Sequence, residues 1–458
     1  MSEREKSVVK LPEKLGFMAY SGSANIVFNF KSLYYLIFLT NVLKIPMLTA
    51  GTMMTLGTIW DVTNDPLIGV WAGNIHFKSG EKIRPFLLWI AVPWAAGMVL
   101  LFTDFNLSQR MAVIVSLVVF FFYEIANTFR GIVYNGMGAL ASANDDDRKS
   151  INAYRSLGAS IGSGIGAVAV TPLVRLFGGL QEKGAIIGKG DARALFLTAL
   201  LMGCICIAGC LFHYFTTKER VHEKEEHEDK LGIVETYKML FACRSWVWNM
   251  LYIMGYGICN TLIMSAINYY AAYILGASSK ATPILAVYLV AAVLTSVFTP
   301  KIDTLLGRKK TMYFGVLIQI IGKIPFILNP YYEPFVYLNA LSIGIGGTIT
   351  FIMFNQNRNS ISDVVELQNH RRLDAMVSTG DNLAEKVAEA LVTQLMAFAM
   401  SSAGFNEALK INQTAATKTT ICNLLGLVPA LILVFMLLTV KNLNIDKEKA
   451  KYLQGGAE

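Results

Sequence analysis

The sequence predicts an all-α integral membrane protein with twelve transmembrane helices in two six-helix halves, and three observations carry this prediction. Of 458 residues, 54% are hydrophobic and only 16% charged, and the mean hydropathy of +0.47 lies far above that of a soluble globular chain. Apolar runs close to the roughly 20 residues that cross a bilayer recur along the whole chain. A charged stretch without apolar periodicity, Thr217 to Lys230, divides those runs into two equal sets.

The runs lie near 16–43, 48–74, 86–105, 110–141, 152–177, 193–216, 245–274, 282–300, 311–329, 333–359, 376–401 and 415–440. An even number of spans puts both termini on one side. Lys and Arg concentrate in alternate connections: Lys6, Lys10 and Lys14; Lys78, Lys82 and Arg84; Arg148 and Lys149; Lys218, Arg220 and Lys224; Arg308, Lys309 and Lys310; Arg371 and Arg372; Lys447, Lys449 and Lys451. By the positive-inside rule those sides, and both termini, are cytoplasmic. The expected organisation is a first half over 1–216, a cytoplasmic linker over 217–243, a second half over 244–440 and a cytoplasmic tail over 441–458. The polar opening, Met1 to Lys14, shows no cleaved-signal pattern.

The net charge of +8 is then topology, and no nucleic-acid partner follows from it. Six cysteines without CxxC pairs read as small hydrophobes, and five histidines show no metal-ligand spacing, so an enzyme is not expected. The turns Lys78 to Pro85 and Asp303 to Lys310 are glycine-plus-basic turns at equivalent places in the halves. Such duplication places a transporter's binding site at the interface of the halves near the midplane.

The chemistry concentrates in Ile59-Trp60-Asp61-Val62-Thr63-Asn64-Asp65-Pro66. On a helix Asp61 and Asp65 stand at i and i+4 with Asn64 at i+3, so the three share a face. Pro66 lacks an N–H, which deprives the Val62 carbonyl of its helical partner. Adjacent carboxylates in a low-dielectric setting share a proton or hold a cation. The alternative, solvated acids at a helix end, is opposed by the apolar run from Leu67 to Ala72.

These features together resemble the glycoside-pentoside-hexuronide:cation symporter family of the major facilitator superfamily, the melibiose-permease-like carriers. The resemblance runs through Trp60-Asp61 with Asn64-Asp65-Pro66, Arg148 and Arg155, Thr217-Lys218-Glu219-Arg220, Tyr269-Tyr270 to Gly276, and Asp363-Val364-Val365-Glu366 with Arg371-Arg372. It implies the major facilitator fold and cation-coupled sugar uptake. Asn25 matches a sugar-binding Asp of the family, with Ser23 as the other registration, and Gly131 stands where galactoside carriers have a second one. Arg155 matches the family's substrate-binding Arg, Lys386 its Lys opposite the sugar site, and Phe351 its ring-stacking aromatic.

Polar residues in the other spans complete the candidate list. Asn25 and Asn29 share a face of helix one, where Asn also serves as interhelical glue. Lys31, in mid-span, is expected to face the cavity. Helix four carries Glu124, Asn127, Thr128, Arg130, Tyr134 and Asn135, with Glu124 and Arg130 able to neutralise other buried charges. Ser160 to Gly166 forms a small-residue packing stripe. On helix eleven Thr379, Asn382, Lys386, Glu389 and Thr393 follow one face, with Asp381 and Glu385 off it.

The expected protein is therefore a secondary active sugar:cation symporter of the cytoplasmic membrane, surrounded by lipids and monomeric. Its coupling ion is Na+ or H+ and it has no other cofactor. Asp61, Asn64, Asp65 and Thr128 hold the cation, with Asp61 and Asp65 as the ligands if it is Na+. Asn25, Arg130, Asn135, Arg155, Phe351, Asn382 and Lys386 contact the sugar. Relative to galactoside carriers the cavity loses acids and gains Lys31 and Arg130, which makes an acidic sugar a candidate beside neutral ones. The rivals are a sodium-coupled lipid transporter of the same fold and a membrane sensor that does not transport.

Overall fold

The computed structural model describes residues 8–73, 77, 80–81, 83–142, 144–180, 186–220, 233–369 and 374–455. The chain divides into two compact units. The first comprises Met1–Glu226 with Ala271–Thr282 and Asn406–Asn412; the second comprises His227–Tyr270, Pro283–Phe405 and Gln413–Glu458.

The first unit contains α1 (Leu11–Ile37), α2 (Met47–Gly73), α3 (Phe86–Leu101), α4 (Gln109–Ala141), α5 (Asp145–Val168), α6 (Val170–Leu176) and α7 (Ala192–Thr216). α1 continues into a π-helical turn, Phe38–Val42. The span expected over 152–177 is a broken one, α5 and α6 meeting at a 48° bend. Pro172 explains the break, because its missing N–H leaves the carbonyl of Val168, the last residue of α5, without a helical partner.

α5 packs on α1 so closely that a Cβ added at Gly158, Gly162 or Gly166 would stand 2.0, 2.1 or 2.5 Å from the carbonyl oxygens of Met18, Gly22 and Ile26. The stripe read from the sequence is thus a backbone-to-backbone seam, and its partner is α1. At the helix ends Arg220 donates to both oxygens of Glu13, at 2.7 and 2.8 Å. That bond holds the guanidinium above its ordinary pKa.

The second unit contains α8 (Ile233–Ala242), α9 (Arg244–Tyr273), α10 (Ala281–Leu306), α11 (Arg308–Leu328), α12 (Glu333–Asn369), α13 (Asp374–Ser402), α14 (Ala415–Leu425), α15 (Leu427–Asn442) and α16 (Ile445–Gly455). The last expected span is divided at Gly426 into α14 and α15. Pro429 frees the Leu425 carbonyl, which accepts the ammonium of Lys323 on α11 at 3.2 Å. The linker carries the short helix α8, and the tail carries α16. α16 is docked: Glu448 accepts from the backbone N–H groups of Arg244 and Ser245 at the start of α9, and Lys449 pairs with Asp363 at 2.7 Å. The acid of the Asp-x-x-Glu motif thus anchors the tail.

Gly80 and Gly307, in the two glycine-plus-basic turns, have φ of +77° and +80°, a conformation that disfavours any side chain. The shared geometry fits a duplicated six-helix unit. Seven helices among the described residues are long and apolar enough to cross a membrane on composition alone, eight with the bent pair counted. α1, α2 and α13 do not pass, because each carries polar residues in mid-span, and α3 is short. Those polar residues are the candidate site.

Candidate functional site

In the first unit α2 is a continuous helix through the acids to Gly73, which removes the helix-end alternative. Asp61 and Asn64 are buried, as is Thr128 on α4. The Thr128 hydroxyl donates to Asp61 Oδ1 at 3.2 Å and accepts from Asn64 Nδ2 at 3.3 Å. Asn64 Oδ1 is buried without a hydrogen-bond partner. A carboxylate, a hydroxyl and an unpartnered amide oxygen are hard donors, suited to Na+ or to a shared proton. Asp65 follows one turn along α2, and its side chain lies outside the described residues, as do those of Asn135 and Asn382. Among the described residues no three His, Cys, Asp or Glu side chains cluster as a metal would require.

Beside this cluster the structure corrects the reading of Lys31. It is no open cavity base: buried on α1, its Nζ lies 2.8 Å from Glu124 Oε1 and 5.3 and 5.4 Å from the ring centroids of Phe120 and Tyr123. Packing of α1 against α4 brings together charges 93 positions apart, and burial of both favours pairing. The alternative that Glu124 neutralises a buried charge is the one observed. Asn127 extends the chain of contacts, donating to Glu124 Oε2 at 3.4 Å and accepting from Arg130 Nε at 2.9 Å.

Arg130 and Arg155 flank one ring. The Arg155 guanidinium sits 3.9 Å from the Tyr134 centroid, and that of Arg130 lies 5.8 Å from Tyr134 and 5.6 Å from Trp94. Ser21 ties the arrangement together, 3.2 Å from the Tyr134 hydroxyl and donating to the Arg155 carbonyl at 2.7 Å. Neither guanidinium has a carboxylate partner among the described residues. Asn25 accepts from Ser163 of α5 at 3.3 Å and donates to the Ser21 carbonyl at 2.9 Å, so it also works as interhelical glue.

In the second unit Phe351 of α12 is 46% exposed and packs edge-on against Phe354. Lys386 lies half-buried on α13. Two features escaped the sequence reading. Arg358 of α12 donates Nε to Asp381 Oδ2 at 2.6 Å, so the acid placed off the helix-eleven stripe is the buried one. Lys323 is fully buried on Asn339 Oδ1 and the Leu425 carbonyl, each at 3.2 Å. A lone base inside an apolar run is the signal that finds Lys323, whereas Arg358 stands in the polar run Asn355 to Ser360 and gives no such signal.

Fold and site together define a polytopic membrane carrier with a carboxylate site inside the bilayer. The chain belongs to the MFS/sugar transport protein family, whose model matches residues 16–447. It is a membrane sugar transporter and not an enzyme. The isoprimeverose transporter of Lactiplantibacillus pentosus is 27% identical over 325 residues, covering 70% of this chain and 64% of that relative. The inner membrane symporter YicJ of Escherichia coli is 24% identical, covering 93% of this chain and 90% of its own. A solved D-xylose-proton symporter superposes with a TM-score of 0.65 over 92% of this chain and 96% of that one, at 13% identity, a likeness of fold alone.

Proposed function

We propose that this sugar:cation symporter binds its coupling ion, Na+ or H+, on Asp61, Asn64 and Thr128 with Asp65. The observation that carries the reading is the buried Asn64 oxygen without a partner, one helical turn from a buried carboxylate. A cation there satisfies both, and by reciprocal linkage it raises affinity for the sugar. Asn25, Arg130, Asn135, Arg155, Phe351, Asn382 and Lys386 are the residues that contact the sugar. The family favours this reading over a lipid carrier or a sensor. Both termini face the cytoplasm, and the protein works as a monomer among bilayer lipids without nucleic acid or further cofactor.

The test is uptake of labelled neutral and anionic sugars into proteoliposomes with Na+ and pH gradients imposed separately. Accumulation driven by one gradient, and lost in Asp61→Asn while sugar exchange persists, is expected. Undiminished uphill uptake by Asp61→Asn overturns the assignment.

A second reading concerns the class of sugar, and the paired guanidiniums around Tyr134 favour it. With Lys31 neutralised by Glu124, the positive excess rests on Arg130 and Arg155, and forked donors suit a carboxylate. An acidic sugar such as a uronide fits them better than its neutral counterpart.

A further inference from the structure

We propose that Asp381 and Glu385 of α13 form a proton-binding site within the second unit, separate from the cation site on α2 and α4 and used by no part of the sugar:cation reading. Asp381 is wholly buried, and only one of its oxygens is satisfied. Oδ2 accepts from Arg358, whereas Oδ1 is buried without a hydrogen-bond partner. An acceptor left bare inside an apolar helix packing calls for a donor. Glu385 follows at i+4, so the two carboxyls share a face of α13, and Glu389 stands one turn further on at the edge of the polar stripe.

The surroundings close on that face. α9 has Gly257 opposite it, where an added Cβ would lie 3.0 Å from the Ala388 Cβ and 3.8 Å from the Glu385 Cα, so α9 presses directly on this turn of α13. The charged and titratable groups around Asp381 and Glu385 are Arg358 from α12, Tyr256 from α9 with Tyr288 of α10 next to it, and Glu389 on α13 itself. Three ionised carboxyls against the one base of this group, Arg358, leave an excess of two negative charges. A proton shared between Glu385 and Asp381 halves that excess and supplies an O–H for the bare Asp381 Oδ1. A metal cation is a poorer occupant, because hard cations gather roughly six oxygens and helical backbone carbonyls are already spent. The step is a simple protonation: one proton enters from water onto a carboxylate oxygen, and nothing is oxidised or released.

Infrared difference spectroscopy of the full-length protein in lipid, stepped between about pH 5 and about pH 8 without sugar or Na+, tests the site. The native protein should show a titrating C=O stretch of a protonated carboxyl that moves on exchange into D2O. Glu385→Gln should abolish that band and Asp381→Asn should displace it, while Asp61→Asn leaves it in place. Absence of the band from the native protein, or its survival unchanged in Glu385→Gln, overturns the proposal. Where Asp381→Asn fails to reach the membrane because Arg358 has lost its counter-ion, Glu385→Gln alone decides. Without sugar or Na+ in the sample, failure here leaves the Asp61 assignment standing, and failure of that assignment in uptake leaves this band unaffected.

Discussion

Replacing Glu124 with Gln keeps the shape of the side chain and removes the charge opposite Lys31. The partners' side chains are 9% and 4% exposed and 2.8 Å apart, so water screens the pair little. Stripping one member from a buried pair costs about 3–5 kcal/mol. The Phe120 and Tyr123 rings still face the ammonium and offset about 1–2 kcal/mol of that. A net loss of about 1–4 kcal/mol, at about 2–4 °C per kcal/mol for a unit of this size, lowers the melting temperature by about 2–16 °C. A thiol-reactive dye reads it in detergent, since Cys206 and Cys210 of the same unit are buried and react on unfolding. Replacing both partners with Met should restore most of the loss, because apolar groups can substitute for a buried ion pair. An unchanged melting temperature in Glu124→Gln, or a double variant no more stable than the single one, refutes the argument.

Three further outcomes follow from the same contacts. Thr128→Val removes the hydroxyl between Asp61 and Asn64, and the lost hydrogen bonding of about 1 kcal/mol should raise the half-saturating cation concentration about fivefold in uptake kinetics. A uronide should displace bound substrate better than the neutral sugar of the same configuration, by about 1 kcal/mol or about fivefold. That advantage should vanish in Arg130→Gln, and equal displacement in the native protein returns the choice to neutral sugars. Gly162→Val forces side-chain atoms into the Gly22 carbonyl, so stability measured with the same dye should fall by about 1–3 kcal/mol or more. Normal melting would mean that the α1–α5 contact yields easily.

The helices and the shared face of Asp61 and Asn64 were legible because their signals are local. Twelve apolar runs need only hydropathy, and Asp61, Asn64 and Asp65 declare a shared face by their spacing. Thr128 entered among the polar residues of helix four, and its hydroxyl does lie between Asp61 and Asn64. What stayed hidden depends on which helices touch. Lys31 looked like a cavity base because it lies in mid-span, too far from a helix end to reach water; its partner is on α4. Asp381 was set aside because it lies off the polar stripe of its own helix, yet the helix that matters to it is α12, through Arg358. The breaks at Pro172 and Pro429 were readable from proline chemistry but were masked by unbroken hydropathy. The Leu425 carbonyl that Pro429 frees found its partner in Lys323, more than a hundred positions away.

The glycine seam between α1 and α5 has teeth. Met18, Gly22 and Ile26 meet Gly158, Gly162 and Gly166 in order, so the two helices run parallel and their contacts repeat every four residues. Sliding one helix along the other by less than a repeat drives Ile161, Ser163 or Ile165 into a backbone; the next seat lies about 6 Å away. Such a ratchet has no intermediate settings. The seam holds the backbones of Asn25 and Arg155, carried on its two sides, at one set separation, like the jaws of a locked caliper.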